Sequence, residues 1–213
     1  MFKTCFLINS PGEPFKFKGL DAEKAILSVF PDINGYAQTR ALPSEDPPPF
    51  SGFAELWFND SSIAIRACSL GVGSLLSDGV EAQSCLVGME RVVMRMPKNA
   101  TEKRVKGVYP FRKRAGLDLA SFHRYWWHTH GPIAALTEQA LSYVQIHSLA
   151  SSYPTVKPEF DGITEITWTD MEAAGRAISS RQMREDQGGD APNFVDMESI
   201  KLFMATEEVI IDP

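Results

Sequence analysis

The chain has 213 residues, of which 44% are hydrophobic and 23% charged, and a formal net charge of −6. That apolar content is ordinary for a folded domain, and an acidic balance without a basic stripe argues against a nucleic-acid or anionic-membrane binder. No apolar run approaches the roughly 20 residues that span a bilayer, and the N-terminal run is broken too soon, at Pro11, to read as a signal peptide. Cys5, Cys68 and Cys85 are odd in number, scattered and without CxxC spacing, so they read as free thiols in a reducing compartment. The expectation is a cytoplasmic globular protein.

In chain order, the first strand is expected over Phe2–Asn9, followed by a Gly19-Leu20-Asp21 turn whose aspartate caps a helix. A short alternating strand, Tyr36-Ala-Gln38-Thr-Arg40, comes next. A strand after Phe50-Ser-Gly52 follows, then a helix capped by Asp60 and a closing strand over Arg91–Met96. The same sequence of signals then returns. Lys106–Lys113 reads as a strand, Gly116-Leu117-Asp118 as a turn and cap, and Tyr143-Val-Gln145-Ile-His147 as an alternating strand. Phe160-Asp-Gly162 opens a further strand, Asp170 caps a helix, and Lys201–Ile211 closes the unit. Phe50, Gly52, Glu55, Asp60, Ala64, Arg66 and Ala67 match Phe160, Gly162, Glu165, Asp170, Ala174, Arg176 and Ala177 at one constant offset. The chain is therefore a duplication with its seam near Pro97–Lys103. Residues 1–97 form one unit and 104–213 the other.

Each unit reads βαββαβ, the split βαβ of ferredoxin-like folds, with helices on one sheet face only. The fold class is α+β. Two such units can cover their bare sheet faces by packing sheet to sheet, forming a barrel-like interior with helices outside, and that interior is the natural pocket.

Three of the four histidines lie in one run, FHRYWWHTHGP, from Phe122 to Pro132. A helix started at Asp118 turns about 100° per residue, which puts Phe122, His123, Trp126 and His130 on the packing arc and His128 opposite. A zinc pair needs imidazoles at i and i+4 on one face, and these histidines do not have that spacing. No metal is expected. Pro132 cannot continue the preceding turn but suits the start of a new helix, so His130 sits inward at a break. Its plain alternative is a packed histidine bonded to a freed carbonyl. Tyr109, Phe111 and Lys113 alternate on one strand face, as do Tyr143, Gln145 and His147. Tyr109 and Phe111 suit the walls of an aromatic-binding pocket, and Arg112 or Lys113 could hold a carboxylate or phenolate.

From Lys106 onward the chain resembles an EthD domain of the dimeric α/β-barrel superfamily, here in tandem form. The resemblance is carried by Arg112-Lys113-Arg114, Gly116-Leu117-Asp118, Phe122-x-x-Tyr125-Trp126, His130-Gly131-Pro132, Tyr143-Val-Gln145-Ile-His147 and Phe160-Asp161-Gly162. The first copy keeps the frame but lacks the Tyr-Trp…His-Gly-Pro segment and has Arg40 where the second has His147. The resemblance implies a cofactor-independent enzyme working by acid/base chemistry, with His130 and His147 as its catalytic pair. Free imidazole titrates near 6.5, suited to proton transfer at neutral pH. The expected function is a lyase (decarboxylase, dehydratase or retro-aldol-type) acting on a small hydrophobic aromatic or phenolic acid. Substrate contacts are expected from Tyr109, Phe111, Arg112, Lys113, Trp127, Tyr143, Gln145, Arg40 and Glu165. Features that both copies keep, Tyr, Gln and Glu among them, lean toward the frame, with Glu55 and Glu165 pairing with Arg40 or another base. A non-catalytic carrier of a small ligand or haem, or a cofactor-free monooxygenase or cyclase, are the alternative readings. Pairing as a homodimer stays open.

Overall fold

A computed structural model describes residues 1–9, 20–70, 82–100 and 104–213. In the first repeat the elements are β1 (Phe2–Ile8), α1 (Leu20–Val29), β2 (Gly35–Ala41), β3 (Gly52–Phe58), α2 (Ser61–Ser69) and β4 (Ala82–Met94). β1 lies between β3 and β4, and β2 beyond β3, all antiparallel. This is the βαββαβ order expected from the sequence. Strand β4 begins at Ala82, well before Arg91, because the run to Met89 pairs along the whole of β1. Asp60 caps α2 as expected, accepting from the backbone N–H groups of Ser62 and Ile63. Asp21 lies within the first turn of α1 rather than before it, and Gly19 is outside the described residues.

The second repeat has β5 (Val105–Lys113), α3 (Leu119–Tyr125), α4 (Gly131–Ala134), β6 (Ser142–Ser148), α5 (Tyr153–Val156), β7 (Gly162–Trp168), α6 (Met171–Ser179), β8 (Val195–Asp196) and β9 (Phe203–Ile211). β7 runs antiparallel between β5 and β6, and the two-residue β8 pairs with the end of β5. Asp118 and Asp170 cap α3 and α6 through the N–H groups of Ser121 and Ala173.

The two structural units are not the two linear halves. One comprises Met1–Glu90, Ser148–Glu159 and Ala205–Pro213, the other Arg91–His147 and Phe160–Met204. Most of β9 thus belongs to the first unit, where Ala205–Ile211 pairs antiparallel with β2. Repeat matching shows which residues correspond but cannot show which strand supplies an edge.

The first unit's core packs Phe6, Ile26, Phe30, Tyr36, Leu56 and Phe58 between sheet and helices. Both repeats bury a lysine–glutamate pair, Lys3–Glu55 and Lys106–Glu165, each at 2.7 Å. A buried carboxylate requires such a partner. The partners are lysines of the first strand of each repeat, and Arg40 is exposed at the end of β2. Cys68 and Cys85 are joined in a disulfide, and Cys5 is buried. The reading of three free thiols is corrected: the fold brings the end of α2 beside β4, a proximity that spacing along the chain does not encode.

Candidate active site

The histidine run folds as α3, then a wider π-helical turn over Trp126–His130, then α4 with Pro132 at its start. The extra residue in the turn lets the Gly131 N–H reach back to the Trp126 carbonyl, which also accepts from Gln145 Nε2 at 3.2 Å. Such π-bulges are frequent at functional sites. Phe122, Trp126 and His130 are buried, and His128 is exposed, the division that helical phase predicts.

A cavity of about 300 Å³ opens beside this turn. Its aromatic wall comes from Tyr109 and Phe111 of β5, Trp126 and His130 of the turn, Tyr143 of β6 and Phe194. Thr164, Ile166, Ile178, Met183 and Met197 contribute further lining. Every lining residue belongs to the second unit. Trp126 is held by neighbours on several sides: Phe111 edge-on at 5.0 Å, Phe122 stacked at 5.4 Å and His147 stacked at 4.4 Å. Gly162 is needed for this packing, since a Cβ there would lie 2.6 Å from Trp126 Cζ3. The Phe-x-Gly turn of the repeat thus acquires a local purpose.

His130 Nδ1 lies 2.9 Å from Asp190 Oδ2, and Asp190 Oδ1 accepts from the Tyr125 hydroxyl at 2.7 Å and Asn193 Nδ2 at 3.2 Å. A carboxylate can only accept, so Nδ1 carries the proton and Nε2 is the basic nitrogen left for a ligand. Burial lowers the His130 pKa below its ordinary value, partly opposed by the hydrogen bond and charge of Asp190. Burial alone would raise the Asp190 pKa, but the three hydrogen bonds outweigh it and hold the carboxyl below its usual range. The imidazole is therefore neutral and oriented, the state of a ready general base.

Two phenols share the cavity. Burial raises both pKa values, so both hydroxyls stay protonated. Tyr143 is hydrogen-bonded to Thr164. The Tyr109 hydroxyl is buried and has no hydrogen-bond partner among the described residues. Its ring folds over Gly107, where a Cβ would lie 2.9 Å from Tyr109 Cε2. An unsatisfied buried hydroxyl is costly, and with its oxygen closed to solvent a cavity ligand can satisfy it only once the ring turns.

Of the residues expected to form the site, the cavity brings together Tyr109, Phe111, His130 and Tyr143. His147 is buried but stacks on Trp126, with Nε2 on Gln145 Oε1 at 2.9 Å and Nδ1 without a partner. It does not line the cavity. Gln145 is fully buried as the bridge between His147 and the turn. Burial, then the positive charge of His123 and Arg91, pushes His147 down to about 2. The same burial and Arg91 push His123 down to about 4, against a small opposing pull from Asp161. Trp127 is half-buried, with the Arg91 guanidinium over its ring at 5.1 Å, on a separate shallow concavity with His128 and Pro132. Arg112 is exposed at the end of β5, and the Lys113 backbone N–H donates to Asp161 Oδ2 at 2.9 Å. Glu165 is engaged with Lys106, and Arg40 lies in the first unit. None of Arg112, Lys113, Trp127, Arg40 and Glu165 lines the cavity.

Sequence reasoning missed Asp190 and the stretch from Gln182 to Leu202. This stretch forms a π-helical turn, short helices and β8. It supplies Met183, Phe194, Met197, Ile200 and Leu202 to the cavity. Its one signal is its length: nothing in the first repeat corresponds to it.

The elements define an α+β protein built of two βαββαβ-like repeats. The fold is shared along nearly the whole chain with a chlorite dismutase from Candidatus Nitrospira defluvii (13% identity, 96% of this chain and 90% of that chain, TM-score 0.55). It is shared likewise with a putative monooxygenase from Lactobacillus acidophilus NCFM (9% identity, 98% and 94%, TM-score 0.54). An anthrone oxidase-like protein also has it (11% identity, 99% and 93%, TM-score 0.53). At these identities the likeness concerns the fold. Comparison with curated proteins returns no match. More specifically, residues 114–198 match the model of the EthD domain family. That match contains both His130 and Asp190.

Proposed function

We propose that the protein is a cofactor-independent acid/base enzyme, a lyase acting on a small hydrophobic aromatic compound. The observation that carries this reading is the pairing, in one apolar cavity, of an oriented neutral imidazole with an unpartnered phenol: His130 on Asp190, and Tyr109. His130 Nε2 takes a proton from a substrate hydroxyl or an acidic C–H. Tyr109 donates a hydrogen bond to the oxygen on which negative charge develops, in a setting that excludes water and so strengthens the bond. In a retro-aldol cleavage of a β-hydroxy ketone, loss of the hydroxyl proton to Nε2 breaks the Cα–Cβ bond. An aldehyde leaves, and the enolate held by Tyr109 is reprotonated at carbon by the imidazolium. In a dehydration the base removes the α proton and the protonated ring returns it to the leaving hydroxyl. His147 enters as a support of the Trp126 wall rather than as a second proton carrier, a revision of the pair expected from sequence.

The test is turnover of a panel of aromatic β-hydroxy ketones, with products identified by mass spectrometry. His130→Ala is expected to lower kcat/KM by about 10²–10⁴-fold; full turnover by that variant on an identified substrate would refute the assignment. A second reading, oxygenation without a cofactor, is favoured by the names of two proteins sharing the fold, a putative monooxygenase and an anthrone oxidase-like protein. It requires oxygen consumption equal to product formed, which a lyase does not show.

A further inference from the structure

We propose that the cavity takes its ligand uncharged, as an aromatic ketone bearing a phenolic or enolic hydroxyl, and discriminates against aromatic carboxylates. The proposal deepens the reading of this cavity as the active site and rests on it. It turns on which lining groups still have hydrogen-bonding capacity.

No lysine, arginine, aspartate or glutamate lines the cavity among the described residues. Its polar lining is Tyr109, His130, Tyr143, Thr164 and Gln187. Tyr143 and Thr164 are hydrogen-bonded to each other, and the Gln187 amide nitrogen donates to Thr137 Oγ1 and Gln182 Oε1, both at 2.9 Å. Besides the Tyr143 O–H and the Gln187 amide oxygen, the positions with capacity left are the Tyr109 hydroxyl, which can donate, and His130 Nε2, which can accept. A ligand complementary to the last two offers one acceptor and one donor: a carbonyl oxygen for Tyr109 and an O–H for His130.

A carboxylate can accept from Tyr109, but it would carry its charge into an apolar enclosure without a cation to offset its lost hydration. The negative charge of Asp190 behind the imidazole opposes it further. The basic residues expected to hold an acid, Arg112 and Lys113, do not line the cavity. Decarboxylation of a free acid is thereby the least fitting of the lyase subtypes, and dehydration or C–C cleavage of a neutral ketone the best. The size agrees, since 300 Å³ lies at the small end of ligand pockets.

The experiment compares two isosteric probes, 1-hydroxy-2-acetonaphthone and 1-hydroxy-2-naphthoate, by calorimetric titration of the full chain at pH 7.5. The ketone is expected to bind on the order of 100-fold more tightly than the acid. Tyr109→Phe is expected to weaken the ketone by about 5–10-fold. Equal or tighter binding of the naphthoate, or binding of neither probe, overturns the proposal. Turnover is scored separately on the same preparations. An acid that binds and reacts through His130 sinks the neutral-ligand proposal and leaves acid/base catalysis standing. A ketone that binds through Tyr109 but never reacts supports the proposal while removing the catalytic reading.

Discussion

Replacing Asp190 by asparagine tests the centre of the site without needing a substrate. The carboxylate accepts from His130 Nδ1 at 2.9 Å, from Tyr125 at 2.7 Å and from Asn193 at 3.2 Å. Asparagine keeps the shape but turns one of the two oxygens into a donor. If the amide oxygen stays with Tyr125, the amide N–H faces Nδ1, and the imidazole must move its proton to Nε2 to accept it. The nitrogen facing the cavity is then no longer a base. Loss of one charge-assisted hydrogen bond in a largely buried setting costs about 1.5–3 kcal/mol, so the urea midpoint should fall accordingly. The tautomer is read directly from long-range ¹⁵N–¹H NMR of the imidazole. The wild type is expected to show the Nδ1–H pattern and the variant the Nε2–H pattern. On an identified substrate the variant should lose about 10²–10⁴-fold in kcat/KM. An unchanged tautomer together with a stability change under about 0.5 kcal/mol, the usual range for an inert surface substitution, would refute the reasoning.

Gly162→Ala should destabilise the second unit by about 1–3 kcal/mol and alter the near-ultraviolet signal of tryptophan. The new Cβ meets Trp126 Cζ3 at 2.6 Å, and Phe111, Phe122 and His147 leave the indole little room to yield. Wild-type values for both would contradict the packing described. Stability should also fall with acid. His147 has its folded pKa pushed down to about 2, chiefly by burial, against about 6.5 in the unfolded chain. As pH drops below about 6.5 the unfolded state takes up a proton that the folded state refuses. Stability present above that pH is therefore lost at up to about 1.4 kcal/mol per pH unit from this residue, and the loss continues until the folded pKa is passed. Urea midpoints at pH 7, 6 and 5 give the slope, and His147→Gln should flatten it. A slope identical in the variant would assign the acid loss elsewhere.

Much of the architecture is legible without coordinates because it is written in local periodicities. The duplicated Phe-x-Gly and Asp cap signals gave the strand and helix order of each repeat. Alternation put Tyr109 with Phe111 and Tyr143 with His147, and helical phase sent His130 inward and His128 outward. The family likeness then marked His130 among four histidines. These readings hold because side-chain direction along a helix or strand follows from the repeat of the backbone itself. Other features depend on which distant segments meet. Nothing near His130 in the sequence announces Asp190, which arrives on a stretch that the repeat pattern leaves unassigned. The face shared by Tyr143 and His147 is real, yet the cavity ends at Tyr143 because Trp126 stacks over His147. Arg112 and Lys113 carry the right charge for an acid but sit at the strand's end, where their side chains lie outside the cavity. Cys68 meets Cys85 for the same kind of reason. The sequence by itself determined the repeat, the elements and the inward histidine. Tertiary structure decided that histidine's partner, the limits of the cavity and the absence of charge from its described lining, since those depend on contacts between segments far apart in the chain.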